Sequence, residues 1–202
     1  MNEFYPYIID CHTHNRDSLT GVISLEPHEL DVMRPGRVYS VGVHPWRASL
    51  ATDDDIHRVE EAATRSEVVM IGECGLDRVC DTPMEDQMRV FRRMVELSER
   101  VGKPLLLHVV RAFGSIMELH KALRPRQPWI IHGFRGKPEL ARQLVAEGMY
   151  LSFGERYNKE SLSATPSDRV LQETDEAREI NARLPHAAEN LQRIIFPLIK
   201  AH

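Results

Sequence analysis

No stretch of this 202-residue chain is apolar for long enough to cross a bilayer, and its start, MNEFYPYIIDCHTH, lacks both the basic beginning and the apolar run of a secretory signal. No membrane partner is expected. Cysteine is scarce: three residues, an odd number without framework spacing, exclude a disulfide scaffold and fit a reducing compartment, the cytoplasm. A Gly-rich phosphate loop and a repeat of fixed period are also missing, which argues against P-loop and dinucleotide-binding proteins. Positive charge is not in excess either. The 26 Lys and Arg against 30 Asp and Glu leave a formal charge of -4, so a broadly basic nucleic-acid binder is not expected. A polyanion would have to be gripped locally, and short single strands or nucleotides suit such a chain better than long duplex DNA. Nothing points to an obligate protein partner.

What is present is ordinary globular material, 42% hydrophobic and 28% charged, enough for a single domain over residues 1–202. Strand-length apolar runs punctuate it: YPYIID, RVYSVGV, EVVMIGE, KPLLLHVV, PWIIHGF, GMYLSFG and RVLQETD. Between them lie helical patterns. The clearest runs from Met84 to Val101 and closes at Gly102, with Met84, Met88, Phe91, Val95 and Val101 near one face. Others are expected over 53–65 behind Thr52 or Asp53, over 138–147 ahead of Gly148, and over 115–123. Strand and helix alternating in this way build parallel βαβ units, here expected as an α/β, TIM-type (β/α) barrel. Only a short stretch separates His14 from TGVISL, leaving no room for a crossover helix, so the barrel is expected to be abbreviated or distorted near its first two strands and to lack one strand.

Chemistry-bearing residues recur at the ends of these strands. Asp10, His12 and His14 alternate at the end of the first, and a period of two would turn all three to one face, with Cys11 and Thr13 facing outward as packing. His44, Glu73, His108, His132 and Asp175 each follow a later apolar run. In a parallel barrel all such ends meet at one mouth. There, four imidazoles and two carboxylates from His12, His14, Glu73, His108, His132 and Asp175 suffice for two divalent ions, with Glu73 able to bridge them.

In this order the motifs DCHTH, GVHPW, IGECGLD, LLLH, IIHGFRG and ETD resemble the TatD family of metal-dependent deoxyribonucleases over nearly the whole chain. The resemblance implies a barrel with divalent metals, Mg²⁺, Mn²⁺ or Zn²⁺, held by those six residues. It further implies hydrolysis of phosphodiester bonds in DNA or a nucleotide-like substrate by a metal-activated water. Asp175 would orient or deprotonate that water, and Glu73 and Asp175 are the expected catalytic carboxylates. The chain departs from the family in its length and in ETDEAREI, and Arg78 stands where an aromatic residue is more usual.

Around the mouth, Arg111, Arg135 and Lys137 lie just past strand ends, where they could grip phosphate or remain solvated rim charges. His44 is expected to line the pocket or bind substrate, since its GVHPW turn leaves the strand at a proline. Trp46 could stack on a base or pack the turn. Glu173, two residues before Asp175, could support a ligating histidine or fill the core. His28, His57, His120, His186 and His202 fall away from strand ends and are expected to face solvent. Two other functions remain open: an amidohydrolase-type enzyme acting on a small amide, lactone or phosphoester, and a noncatalytic metal-binding scaffold. A strand-end lysine, which could bridge metals in the first of these, is missing.

Overall fold

The computed structural model describes residues 7–180 and 183–200, the last two by backbone only. His202 and the beginning of the first apolar run, Tyr5 and Pro6, lie outside the described residues. Eight strands pair side by side in chain order, all parallel: β1 (Asp10–Thr13), β2 (Gly21–Leu25), β3 (Val38–Val41), β4 (Val68–Asp77), β5 (Leu105–Val110), β6 (Trp129–Ile131), β7 (Tyr150–Phe153) and β8 (Val170–Gln172). A bridge between Thr13 and Asp175 joins the last strand's end to the first and makes the sheet a TIM-type barrel. No strand is missing, contrary to expectation. The seven residues 14–20 return the chain without a helix, because β1 and β2 are only four and five residues long. Extended chain covers about 3.3 Å per residue, so seven residues suffice to run back past so short a strand.

The helices form where their ends are chemically marked. In α1 (Asp53–Ala62), Thr52 and Asp55 cap each other reciprocally, side chain to backbone. It stops three residues short of the expected end. The long α2 (Met84–Val101) buries Val90, Phe91, Met94, Val95 and Leu97 against the sheet and ends where Gly102 turns left-handed at φ 70°. Next come α3 (Phe113–Leu123), two residues longer than its pattern suggested, and α4 (Pro138–Ala146). The short α5 (Lys159–Ala164) and the terminal α6 (Ala187–Lys200) had no counterpart in the sequence reading. Leu191 and Ile195 of α6 pack with Ile8, Leu106 and Leu171, and Asn190 and Gln192 donate to carbonyls of Val170 and Ile8. These contacts lie where β8 and β1 begin, so α6 covers the mouth opposite the strand ends.

The period of two fails at β1. The ladder to β2 shifts register between Asp10 and Thr13. Cys11, expected to face outward, lies inside the barrel among Leu106, Ile130 and Leu171, and its Sγ donates to Ser152 Oγ on β7 at 3.0 Å. Asp10 does not join His12 and His14 but turns toward the seam with β8. Its carboxylate accepts from Thr174 Oγ1 at 2.7 Å, from Thr174 N at 3.1 Å and from His12 N at 3.1 Å. Backbone bonds from Asp175 N to His12 O and from His14 N to Asp175 O, each 3.0 Å, complete the seam.

Burial pushes the Asp10 carboxyl up to about 7, against the three donors. Between its ordinary value and 7 the folded chain holds a proton that the unfolded chain has released, so this group costs stability progressively as pH rises through that window. Asp10→Asn keeps an acceptor without the charge. We expect its stability relative to the unsubstituted protein to increase from pH 5 to pH 8 by a few kcal/mol in urea unfolding. Asp10→Ala, which strands the donors of Thr174 and His12, should lose about 2–3 kcal/mol at pH 5. A flat difference for Asn across this range would contradict the seam assignment.

Candidate metal centre and cleft

Glu73 occupies the middle of the mouth. It follows Gly72 in β4, and β4 reaches it by pressing its backbone against β5: a Cβ on Gly72 would stand 2.4 Å from Leu106 O, and one on Gly75 2.0 Å from His108 O. Both glycines are also at positive φ, 134° and 142°, so the G-E-C-G spacing is a packing requirement as well as a motif. The two carboxylate oxygens of Glu73 divide five imidazoles between them. Oε2 lies 3.4 Å from His12 Nε2 and 3.6 Å from His14 Nε2. Oε1 lies 2.7 Å from His132 Nε2, 3.0 Å from His108 Nδ1 and 3.2 Å from His44 Nε2. Asp175 Oδ1 closes the first group, 3.5 Å from His12 and 3.7 Å from His14.

All six expected ligands therefore meet, and His44 joins them as a fifth imidazole on the same carboxylate. Asp175 reaches its place with a left-handed backbone, φ 54°, which aspartate tolerates and which the seam bonds to His12 and His14 hold. Glu173 stands beneath His132: its Oε1 accepts from Gly133 N at 2.7 Å and faces His132 Nδ1 at 3.4 Å.

The electrostatics follow from this crowding. Burial alone would raise the Glu73 carboxyl, but the positive potential of His132 and His12 and contact with His108 hold it well below the usual carboxylate range. For His132, burial opposes charge, yet Glu73 and Glu173 on either side push the imidazole well above its usual value. Glu73 raises His14 likewise, and burial lowers His44. Asp175 is held below its usual range, chiefly by His12. Among the buried groups at the site that lack a hydrogen bond, His12 stands out: it is fully buried, and neither of its ring nitrogens has a partner. An imidazole stranded in this way costs about 1–3 kcal/mol, unless a cation takes the lone pair aimed at Glu73 and Asp175. The donor set fits a divalent metal. His12, His14 and Asp175 have ligand atoms within 4.8 Å of one another, as do His12, Glu73 and His132, and His44, Glu73 and His108.

Sequence reasoning passed over two neighbours. Asp77, the last residue of IGECGLD, accepts from Trp46 Nε1 at 2.7 Å and meets His108 Nε2 at 3.2 Å, tying the exposed tryptophan to the histidine. A strand-end aspartate already quoted within a motif was the available signal. Glu26 follows β2 as the other acids and histidines follow their strands, but only Ser24 and an unremarkable GVISL preceded it. Its Oε2 pairs with Arg47 Nε at 3.0 Å, and burial pushes it up to about 7. His28 also lines the cleft rather than simply facing solvent.

The mouth opens into two lobes that share His108, His132 and Asp175. One, about 460 Å³, is walled by Glu26, Glu29, Trp46, Arg47 and Glu176. The other, about 430 Å³, is walled by Val109, Arg111, Phe113, Gly133 and Arg135. Arg111 and Arg135 thus both face the cleft, while Lys137 stands outside its lining as the residue before α4. No helix among the described residues is long and apolar enough to cross a membrane.

Residues 27–194 match the family model described as TatD related DNase. The chain is 33% identical over 145 residues to a Bacillus subtilis protein named uncharacterized metal-dependent hydrolase YabD, covering 67% of this chain and 57% of that protein. It is 36% identical over 147 residues to a Cronobacter turicensis protein named 3'-5' ssDNA/RNA exonuclease TatD, covering 67% and 56%. The matched region is thus little more than half the length of these relatives. Among solved structures, YJJV, a TatD homolog from Escherichia coli, superposes with a TM-score of 0.73 at 20% identity over 96% of this chain and 90% of that one. That likeness is one of fold.

A divalent ion that binds only the folded chain, at one hundred times its dissociation constant, adds about 2.7 kcal/mol of stability. For a chain of this size we expect thermal unfolding of the metal-stripped protein to rise by roughly 5–10 °C on adding metal. In the His12→Ala, His14→Ala double variant that rise should vanish and elemental analysis should find less metal. An undiminished rise would remove both histidines from the ligand set.

Proposed function

The chain belongs to the TatD-related DNase family, and on that premise we propose that it is a metal-dependent phosphodiesterase acting on single-stranded DNA or nucleotide-like substrates. The observation that carries this reading is the division of the Glu73 oxygens, Oε2 toward His12 and His14 and Oε1 toward His108 and His132. A carboxylate placed between two sets of imidazoles could be shared by divalent ions held on either side. His12, His14 and Asp175 would complete one side, and His108 and His132 the other, with Mg²⁺, Mn²⁺ or Zn²⁺ as the candidate ions. Such ions would supply Lewis acidity to a phosphate oxygen and a more acidic water.

The chain's own groups then have distinct work. Asp175, one-third exposed at the mouth and held ionised by His12, is the base that orients the attacking water and takes its proton. His44, beside Oε1 and with Nδ1 accepting from Trp46 N at 3.2 Å, contacts the substrate phosphate. Arg111 and Arg135, which have no acidic partner among the described residues, hold phosphate oxygens further along the strand.

The metal-stripped protein, tested on a single-stranded oligonucleotide with Mg²⁺, Mn²⁺ and Zn²⁺ added separately, should cleave with at least one of them. Asp175→Asn should lower kcat at least 100-fold with metal still bound. Bound metal without cleavage of any oligonucleotide would replace this reading by a small-molecule hydrolase on the same barrel.

A further inference from the structure

The two lobes on either side of the histidine cluster carry opposite charge. In the first, Glu26, Glu29 and Glu176 outnumber the one guanidinium of the lining, Arg47, and Arg47 is already spent on Glu26 at 3.0 Å. Glu29 is paired outward with Arg16, beyond the lining. The second lobe contains no acid apart from the shared Asp175, and its Arg111 and Arg135 have no acidic partner among the described residues. Arg111 is held toward it by a left-handed backbone, φ 52°, directly after β5. The lobes also differ in what they offer an uncharged group. Trp46 presents an exposed indole at the acidic lobe, fixed at one end by Asp77 and packed edge-on to His44 at 4.8 Å between ring centres.

A strand laid across the metal cluster carries a phosphate at every step except where it ends. Each phosphate is attracted by unpaired arginines and repelled by carboxylates. Only a terminal nucleoside without a phosphate beyond it suits a lobe that is acidic and offers an aromatic face. Resting on the nuclease reading above, we propose that the cleft orients its substrate by this polarity. The continuing strand lies over Arg111 and Arg135, and the terminal nucleoside sits against Trp46 with a free hydroxyl rather than a phosphate directed at Glu26. The ligand class is therefore a hydroxyl-terminated single strand, and a terminal phosphate is refused because the guanidinium of this lobe is already held by Glu26 while the carboxylate of Glu176 stands in the lining. Glu26 also keeps Arg47 occupied. Replacing it removes a repelling charge and frees a cation in the same lobe, so its effect on a terminal phosphate should exceed that of any other acid there.

The test compares two single-stranded oligonucleotides that differ only in a hydroxyl or a phosphate at the end from which the enzyme degrades, with the metal that supports cleavage. At pH 8, above the value of about 7 to which burial pushes Glu26, kcat/KM should favour the hydroxyl end at least tenfold. Glu26→Gln should shrink the ratio below about threefold, and the exposed Glu176→Gln, which carries little folding risk, should shrink it by a smaller factor. Arg111→Ala with Arg135→Ala should raise KM for both oligonucleotides and leave the ratio unchanged. Equal rates on the two ends, or a ratio untouched by both glutamine variants, would overturn the proposal while leaving the nuclease reading intact. Failure to cleave either oligonucleotide with any metal would overturn the nuclease reading itself, and the proposal with it.

Discussion

The mouth of this barrel is organised by one buried carboxylate. Glu73 is almost wholly removed from water, and an ionised carboxylate in such a place is expensive unless positive charge surrounds it. Five imidazoles from the ends of four strands, His12 and His14 sharing β1, surround it and would share a cation with it. Burial of the acid and convergence of the histidines are therefore one constraint. The strands must end at the same level, the seam must bring His12 and His14 beside Asp175, and β4 must lie close enough to β5 for His108 to reach. The glycines of β4 meet the last condition, and the bonds between Asp175 and the backbone of His12 and His14 meet the second.

The barrel and the meeting of the six candidate ligands at its mouth were largely legible in the sequence because both depend on local patterns. Short apolar runs ending in His, Glu or Asp mark strands whose tips converge, and the parallel topology does the rest. The pattern was weakest where local rules yield to register. Counting by twos from Asp10 placed it with His12 and His14 and sent Cys11 outward; a shift in the β1–β2 ladder reversed both positions. The stretch after His14 has no room for a helix, but a missing helix is not a missing strand when the strand is only four residues long.

Other misses have a common cause. Asp77 and Glu26 matter through partners distant in sequence, Trp46 and His108 for one and Arg47 for the other, and no periodicity reveals such pairs. The terminal α6 lacks a marked start in the sequence and contains Pro197, yet its apolar residues find the open end of the barrel. Tertiary burial, rather than capping or propensity, stabilises that helix. Charge asymmetry between the two lobes likewise cannot be read from a net charge of -4, which averages over surfaces that face different parts of a ligand.

The seam between β1 and β8 rests on a single bridged pair and the carboxylate knot of Asp10, whereas neighbouring strands elsewhere share longer ladders. Transient parting of the sheet would begin there, as local opening begins wherever the fewest bonds must break at once. Cys11 sits directly inside that line with no exposed surface. Its thiol is thus a built-in clock: the pace at which a small alkylating reagent reaches it reports how often the barrel breathes, and a metal clasped across His12, His14 and Asp175 would slow that pace by spanning the same gap.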